Sequence, residues 1–429
     1  MTSFELSRRQ VLAVAAALGA ASALAGPAWA QQATRWPAVT ALISRYVEQR
    51  KVANMVVTLG FGDADRTVIR AGLDSLGQPR RAAADSIYRI YSMTKPVTGM
   101  AVAQLIAEGK LGLDQPLHEI LPKFRAMRVQ KTYDGPLTAD NLEPAVRPIT
   151  IRHLLTHTSG LGYSLVQQGP IAQAFRDRGL VPGVVTRLQM LPVFRGTAVR
   201  GLEVFADRLA EMPLVYQPGT RWSYSMGADL LGRVIEVVSG QPFDRFLRER
   251  LFDPLRMADT HFRVPRDKAD RMTTSYFVLG GTLLPIDPAR DSIYFDEPGF
   301  PFGGAGLAST PRDYDRFLQM LLGGGEFEGR RVLDAEAVRL GTSDILPDTL
   351  TGQDSYGTTW GYGALGRVGR GAQAGTYGWA GAAGTIGFVD YARDLRAGLY
   401  TQYMPQMEYP LIDEFPAAIL ADLAAQGRA

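Results

Sequence analysis

The stretch Tyr91-Ser92-Met93-Thr94-Lys95-Pro96 sets a serine and a lysine three residues apart. On a helix, positions three apart share one face, so the two side chains can meet. A serine hydroxyl is a weak nucleophile that needs a base beside it, and a lysine can be that base when its amine is neutral. Burial and nearby positive charge favour the neutral amine, and residues 86–91 are largely apolar and aromatic, with Arg89 among them. The stretch therefore predicts a helix start that carries Ser92 as nucleophile and Lys95 as its base.

A serine and a lysine at this spacing also recur by chance, so the rest of the chain decides how the pair is interpreted. A Ser-His-Asp triad is the common alternative arrangement. The chain has only four histidines and no Gly-x-Ser-x-Gly elbow, which leaves the triad poorly supported.

The two ends of the chain predict the parts of one sheet. Apolar residues at helical spacing predict helices over residues 36–51 and 410–426. Short β-rich runs bounded by Gly and Asp predict strands at residues 55–62, 66–71, 376–381, 385–389 and 395–400.

The middle of the chain is different, because residues 92–270 are mainly helical in pattern, with long loops around residues 128–147 and 162–201. We therefore expect an α/β domain formed by residues 31–91 and 271–429, with the mainly helical region 92–270 inserted into it. A cleft between the two is a common place for an active site.

Residues 1–30 have the features of an export signal. Arg8 and Arg9 precede an apolar stretch at residues 11–25, and Ala28-Trp29-Ala30 follows as a cleavage site. The paired arginines resemble a twin-arginine signal, and the apolar stretch is shorter than the roughly 20 residues that a membrane span needs. We expect a periplasmic or secreted protein with no stable membrane anchor after the signal is removed.

Composition excludes several classes of function. The formal charge of +3 is small and dispersed, so no nucleic-acid surface is indicated. The chain has no cysteine, which excludes a cysteine nucleophile, disulfides and thiolate metal sites. No cluster of His and carboxylates has metal-ligand spacing, so we expect neither a metal nor a cofactor, and no particular oligomeric state is indicated.

Several segments that follow residues 91–96 along the chain resemble motifs of the serine β-lactamase and penicillin-binding-protein-like hydrolases, and they occur in the same order as in that family. The resemblance is greatest to the family VIII carboxylesterases, which share the class C β-lactamase fold. The resemblance covers about residues 56–400, and beyond residues 91–96 it rests on residues 109–116, 149–161, 218–225, 253–257 and 303–307. It implies an α/β (α+β) fold in which an antiparallel sheet is flanked by helices, with an inserted mainly helical region.

Two family motifs are altered. Tyr224 matches the tyrosine of the Tyr-x-Asn motif, but Met226 stands where β-lactamases have the asparagine. The Lys-Thr-Gly or His-Thr-Gly motif is absent, and Trp379-Ala380-Gly381 stands in its place, as in the family VIII esterases. Trp379 replaces a cation that helps to bind the β-lactam carboxylate, so an uncharged ester should be the better substrate.

The resemblance also implies roles for individual residues. Ser92, Lys95 and Tyr224 would be catalytic, and the backbone N–H groups of Ser92 and Ala382 would form the oxyanion hole. Trp379 and Gly381 would contact the substrate, since Gly381 keeps the backbone open to its carbonyl. His157 would be structural, and residues 303–306 would form a turn beside the site.

The sequence thus favours a carboxylesterase that cleaves small to medium acyl esters, a small-molecule substrate, through an acyl-serine intermediate. One alternative is a β-lactamase or D-Ala-D-Ala peptidase, against which the missing Asn and Lys/His count. Another is a non-catalytic penicillin-recognising binding protein, against which the joint presence of Ser92, Lys95 and Tyr224 counts. Acyl transfer to an alcohol is a close relative of the first reaction and stays open.

Overall fold

The computed structural model describes residues 35–188, 196–347, 350 and 360–428 of the chain. The expected signal segment, residues 1–30, lies outside the described residues. The helices, in chain order, are α1 (Pro37–Glu48), α2 (Thr94–Ala107), α3 (Ile151–Leu155), α4 (Gly169–Asp177), α5 (Leu202–Ala210), α6 (Gly227–Ser239), α7 (Phe243–Leu247), α8 (Pro311–Leu322), α9 (Ala335–Thr342) and α10 (Leu411–Ala425).

The strands are distributed unevenly along the chain. In chain order they are β1 (Asn54–Phe61), β2 (Thr67–Gly72), β3 (Tyr88–Arg89), β4 (Arg128–Gln130), β5 (Leu142–Pro144), β6 (Ser275–Leu279), β7 (Thr282–Asp287), β8 (Ala308–Ser309), β9 (Glu326–Phe327), β10 (Arg330–Arg331), β11 (Trp360–Tyr362), β12 (Arg367–Gly369), β13 (Thr376–Ala380), β14 (Ile386–Asp390), β15 (Leu395–Tyr400) and β16 (Tyr403–Met404).

The main sheet has seven strands in the order β11-β12-β13-β14-β15-β1-β2, and every neighbouring pair is antiparallel. Strand β1 joins the two chain ends, because it pairs with β2 on one side and with β15 on the other. Its residues are buried except for the last, which is expected of a strand that is covered on both faces. The predicted antiparallel sheet flanked by helices is therefore confirmed.

Helices cover both faces of this sheet. On one face α1 packs on β1 and β2 and α10 packs against α1, around a core that includes Trp36, Val57 and Phe415. The buried carboxylate of Asp422 on α10 accepts the N–H groups of Ala38 and Val39 at 2.8 and 3.0 Å. This carboxylate satisfies donors that the first turn of α1 leaves free. Helix α8 covers the opposite face, against β14 and β15.

The mainly helical part of the chain is centred on α2, which packs against α6 and α9. Nearly all residues of α2 are buried, as expected of a helix that is apolar all round. Two segments expected to be loops contain regular structure. Residues 162–201 include the helix α4, and residues 128–147 include the ribbon formed by β4 and β5.

The structure does not itself test the division into residues 31–91 with 271–429 and residues 92–270, which stays a prediction. It does place the main sheet at the two chain ends and α2 to α7 between them. Within the described ranges, no helix is long and apolar enough to cross a membrane.

Candidate active site

Ser92 lies in a tight turn between a short strand and a buried helix. Strand β3 pairs with β8, the turn Tyr91–Met93 follows, and α2 begins at Thr94. Tyr91 has a φ of 41° and is buried. That left-handed backbone is unfavourable for a bulky side chain and persists only where packing holds it. The turn therefore presents the Ser92 side chain in a conformation fixed by its surroundings.

Two candidate proton acceptors face Ser92 Oγ. The Tyr224 hydroxyl donates a hydrogen bond to Ser92 Oγ at 2.9 Å, and Lys95 Nζ lies 3.4 Å from the same atom. Lys95 is buried, and its Nζ lies 4.5 Å from the centre of the Tyr224 ring. The structure thus brings together the three residues predicted to be catalytic, within hydrogen-bonding range for nucleophilic catalysis.

Aromatic side chains hold Tyr224 in this position. Its ring stacks on Trp379 with centroids 6.1 Å apart, and the Trp379 Nε1–H donates to the Tyr224 hydroxyl oxygen at 3.3 Å. His157 and Tyr163 pack on the ring at 4.8 and 5.3 Å. Tyr224 therefore has little rotational freedom, and its oxygen is oriented from two sides.

His157 packs against the Tyr224 ring, and its polar partner is the Ser225 hydroxyl rather than the Ser92 hydroxyl. Its Nδ1 lies 3.1 Å from Ser225 Oγ, and its buried Nε2 has no hydrogen-bond partner among the described residues. Burial lowers the pKa of His157 well below its usual value, and the charge of Lys95 lowers it further. A neutral, buried ring in this position packs against the site, as a structural role requires.

Arg89, considered as a positive neighbour of Lys95, is placed elsewhere. Its fully buried guanidinium is paired with Asp287 at 2.6 Å and donates to the Thr273 carbonyl at 2.6 Å. A buried guanidinium is stable only with such a carboxylate and acceptors around it. The charge of Arg89 is therefore matched by Asp287, and the residue anchors the strand that leads to Ser92.

The turn at residues 303–306 lies beside the site, as the resemblance implies, and it makes a contact that the sequence did not reveal. The Gly304 carbonyl accepts a hydrogen bond from Lys95 Nζ at 2.6 Å, and its N–H donates to Asp229 Oδ1 at 2.9 Å. Asp229 is fully buried. Burial raises its pKa to about 6, although the Gly304 hydrogen bond and Lys95 act in the opposite direction.

Asp229 was missed by the sequence reasoning. It occupies the first turn of α6, five residues after Tyr224, in the otherwise apolar run Met226-Gly227-Ala228-Asp229-Leu230-Leu231. An isolated carboxylate within an apolar run next to a motif tyrosine is a signal that could have identified it.

Ala382 lines the same cavity as Ser92. It follows the end of β13, it is exposed, and its N–H has no acceptor among the described residues. Its backbone is therefore free to donate to a ligand in the cavity, as an oxyanion-hole amide must.

Gly381 is predicted to open the backbone to a substrate carbonyl, and that role stays a prediction. The residues on either side of it, Ala380 and Ala382, line the cavity. A Cβ at this position would collide with the Ile90 carbonyl oxygen and with Thr385 Oγ1. The structure thus gives a packing reason for glycine here: the end of β13 lies directly against the backbone that precedes Ser92.

A mainly apolar cavity of about 680 Å³ opens onto Ser92. Aromatic side chains line it both from the main sheet and from outside it: Trp360, Tyr377, Trp379 and Phe388 from the sheet, and Tyr91, Tyr163, Trp222, Tyr224 and Phe277 from elsewhere. Arg367 is the one charged side chain among the described lining residues, and its guanidinium lies over the Trp360 ring at 3.6 Å. Such a cavity suits an apolar ligand that is oriented by few polar groups.

Within the part of the chain that the structure describes, no group of three or more His, Asp or Glu side chains could hold a metal ion.

Comparison with known proteins gives the family. The model of the beta-lactamase family matches residues 39–421. An uncharacterized protein of Mycobacterium tuberculosis is 37% identical over 302 residues, which are 70% of this chain and 67% of that protein. Esterase EstB of Burkholderia gladioli is 31% identical over 349 residues, covering 76% of this chain and 79% of the esterase.

Among solved structures, EstCE1, described as a hydrolase with promiscuous acyltransferase activity, superposes with a TM-score of 0.72 at 24% identity. The superposition covers 91% of this chain and 99% of EstCE1. At this level of identity the similarity shows the fold, and it confirms the predicted β-lactamase-like architecture.

Proposed function

The chain belongs to the beta-lactamase family, and on that premise we propose that it is a serine carboxylesterase that cleaves small to medium acyl esters of apolar alcohols. The observation that carries the proposal is the convergence of Tyr224 Oη and Lys95 Nζ on Ser92 Oγ, at 2.9 and 3.4 Å, beside an apolar cavity.

The proposed reaction has two halves. In the first, Ser92 Oγ attacks the ester carbonyl, and its proton passes to the Tyr224 oxygen or the Lys95 nitrogen and then to the leaving alcohol. The N–H groups of Ser92 and Ala382 stabilise the oxyanion, each donor contributing about 3–4 kcal/mol. In the second, the same pair takes a proton from water, which attacks acyl-Ser92, and returns that proton to Ser92 Oγ as the acid leaves.

Several features favour an ester over a β-lactam. Met226 cannot replace the asparagine that orients the antibiotic amide, and Trp379 stands where a β-lactamase has a cation. Trp379 also stacks on Tyr224, so the position is occupied by apolar area next to the reacting oxygen. The 31% identity to an esterase supports the same choice.

The test compares wild type and Ser92→Ala on p-nitrophenyl butyrate and a chromogenic cephalosporin. We expect ester turnover that the substitution abolishes, with a butyryl adduct on Ser92 detected by mass spectrometry of the quenched wild type. Ser239→Ala is the matched control and should keep full activity, because the Ser239 hydroxyl accepts the Gln241 N–H at 3.2 Å and lies outside the cavity lining. Cephalosporin turnover at comparable efficiency would overturn the proposal in favour of a β-lactamase.

Acyl transfer is a second candidate, which the description of EstCE1 as an acyltransferase supports. An apolar alcohol bound in the cavity could take the place of water in the second half-reaction. Adding 1-butanol to the p-nitrophenyl butyrate assay should then yield butyl butyrate. A product that is butyric acid alone would rule this candidate out.

We also propose that the protein is exported, on the basis of residues 1–30. Cell fractionation and N-terminal sequencing of the product expressed from the full chain should show it outside the cytoplasm and beginning after Ala30. Replacing Arg8 and Arg9 with lysines should hold it in the cytoplasm, and unchanged export would contradict the twin-arginine route.

A further inference from the structure

Asp229 is a fully buried carboxylate that the proposed reaction does not use. It lies on the first turn of α6, in the same segment as Tyr224, and its Oδ1 accepts the N–H of Gly304 at 2.9 Å. A buried carboxylate is costly to desolvate unless hydrogen bonds or a nearby cation compensate for it. The surroundings of Asp229 therefore need an explanation beyond packing.

Gly304 connects this carboxylate to the active site. Its carbonyl accepts the hydrogen bond of Lys95 Nζ at 2.6 Å, the shortest polar contact that the amine makes in the structure. A Cβ at Gly304 would lie 3.2 Å from Asp229 Oδ2 and 3.4 Å from Lys95 Nζ. The carboxylate thus binds the N–H of this glycine, and the amine binds its carbonyl.

The turn that carries Gly304 is fixed from both neighbouring helices. The Gly303 carbonyl accepts a hydrogen bond from Thr98 Oγ1 on α2 at 2.8 Å. A side chain at Gly303 would collide with the backbone carbonyl oxygen of Ala228, at the start of α6. The position of the Gly304 carbonyl is therefore set between the helix of Lys95 and the helix of Asp229.

We propose that Asp229 is a positioning residue for Lys95. It holds Gly304 so that the glycine carbonyl directs the Lys95 amine towards Ser92, and it supplies a buried negative charge beside that amine. The inference rests on the proposed esterase activity, because the step that it assists is proton transfer between Ser92 and its partners.

The experiment measures kcat and KM for p-nitrophenyl butyrate in Asp229→Asn and Asp229→Ala. The asparagine keeps an acceptor for the Gly304 N–H and removes only the charge, whereas the alanine removes both. Because misplacement of a reacting group by about 1 Å can cost 10²-fold, we expect kcat to fall by about 10-fold in the first and about 100-fold in the second. KM should stay within about twofold, since Asp229 does not line the cavity.

Asp313→Asn is the matched control. Asp313 is also fully buried and also accepts a backbone N–H, that of Asp259 at 2.7 Å, but its partners lie outside the site. This variant should keep the wild-type kcat even if its melting temperature falls.

Two readouts separate a positioning role from a merely structural one. The acid limb of the kcat–pH profile should move in Asp229→Asn, because the substitution removes the negative charge that interacts with Lys95. The other charged groups that face Asp229 and Lys95 are unchanged in this variant. The titratable groups there are Tyr163, which the Asp229 charge influences, His157, which Lys95 influences, and Tyr224, whose ring lies 4.5 Å from Lys95 Nζ. Melting temperature is measured in parallel.

The inference is overturned if Asp229→Asn keeps kcat within twofold, or if kcat falls equally in Asp313→Asn with no change in the pH profile. Failure of the proposed function has a different signature, because wild type itself would then show no ester turnover that depends on Ser92. An active wild type with an equally active Asp229→Asn would contradict only the role of Asp229.

Discussion

The two walls of the cavity differ in what they present to a ligand. The wall beside the start of α2, which we call the helical wall, has Ser92 and Tyr224 at its surface and Lys95 buried behind them, and the Tyr224 oxygen and Lys95 nitrogen both lie within 3.4 Å of Ser92 Oγ. The sheet wall, formed by Trp379, Phe388 and their neighbours on β13 and β14, presents mainly rings and aliphatic groups. For the proposed esterase we therefore expect bond cleavage to depend on the helical wall, and the choice of substrate to depend on the sheet wall.

The largest expected effect is on the helical wall. Lys95→Ala should lower kcat/KM for p-nitrophenyl butyrate by about 10³-fold, since a positioned acid–base group contributes about 10²–10⁴-fold. Lys110→Ala, a change at a side chain that is 53% exposed, should leave it unchanged. Comparable activity in the two variants would remove Lys95 from the reaction.

A more selective change separates the Tyr224 oxygen from its ring. Tyr224→Phe keeps the stack on Trp379 but removes the hydroxyl 2.9 Å from Ser92 Oγ. We expect kcat to fall by about 10²-fold with KM little changed. Tyr133→Phe, at a ring that is 41% exposed, should have wild-type kinetics, and a change confined to KM in Tyr224→Phe would contradict the division between the walls.

The next prediction concerns the contact that joins the sheet to the nucleophile. Gly381→Ala forces a Cβ against the Ile90 carbonyl oxygen, and overpacking of this kind costs about 1–3 kcal/mol. The midpoint of urea denaturation should fall accordingly. Gly112→Ala is the control: the position is exposed and its nearest neighbour is the Gln115 side chain at 3.2 Å, so the cost should stay within about 0.5 kcal/mol. Equal stability of the two variants would show that β13 and residue 90 can separate.

A smaller effect is expected on the sheet wall itself. Trp379→Ala removes an aromatic ring from the cavity lining. Contact between this ring and the aromatic substrate should be worth about 0.5–1.5 kcal/mol, so KM for p-nitrophenyl butyrate should rise by up to about 10-fold. Trp379→Phe keeps an aromatic ring, so its KM should lie close to that of the wild type. If Trp379→Ala instead lowers kcat as much as Tyr224→Phe, its hydrogen bond to the Tyr224 oxygen matters more than its area, and the two walls act as one.

The smallest effect is a pH dependence of stability. Folding raises the Asp229 pKa from 3.8 to about 6, so between these values the folded state binds more protons than the unfolded state. The contribution of Asp229 to the free energy of unfolding is therefore fully present below about pH 4 and is lost as pH rises through about 6. The melting temperature of Asp229→Asn relative to wild type should increase across this range, as measured by calorimetry from pH 4 to 7. A constant difference would contradict the raised pKa.

Local patterns were sufficient for much of the fold and the site. The helix predicted at 36–51 is observed as Pro37–Glu48, and the strands predicted near both chain ends are observed within two residues of their expected bounds. Periodicity and turn residues act over a few positions, so they can be interpreted without the fold. The contact between Ser92 and Lys95 could also be predicted from the sequence, because residues three apart at a helix start lie on the same face.

Other features depend on residues far apart in the chain. Arg89 pairs with Asp287, which lies 198 residues away in the chain. The charge of Arg89, which the sequence suggested would act on Lys95, is therefore matched by a carboxylate that the sequence did not identify. Gly381 requires glycine because the Ile90 carbonyl oxygen lies against it, a packing reason that the sequence did not show.

The sequence alone thus predicted which residues would carry the proposed chemistry, since their order and spacing are properties of short segments. The tertiary structure decided how those residues are held: Lys95 Nζ by the Gly304 carbonyl, Tyr224 by Trp379, and Gly304 by Asp229. The physical reason is that hydrogen bonds and ring contacts act over a few ångströms. Which distant segments come that close is set by packing of the whole core.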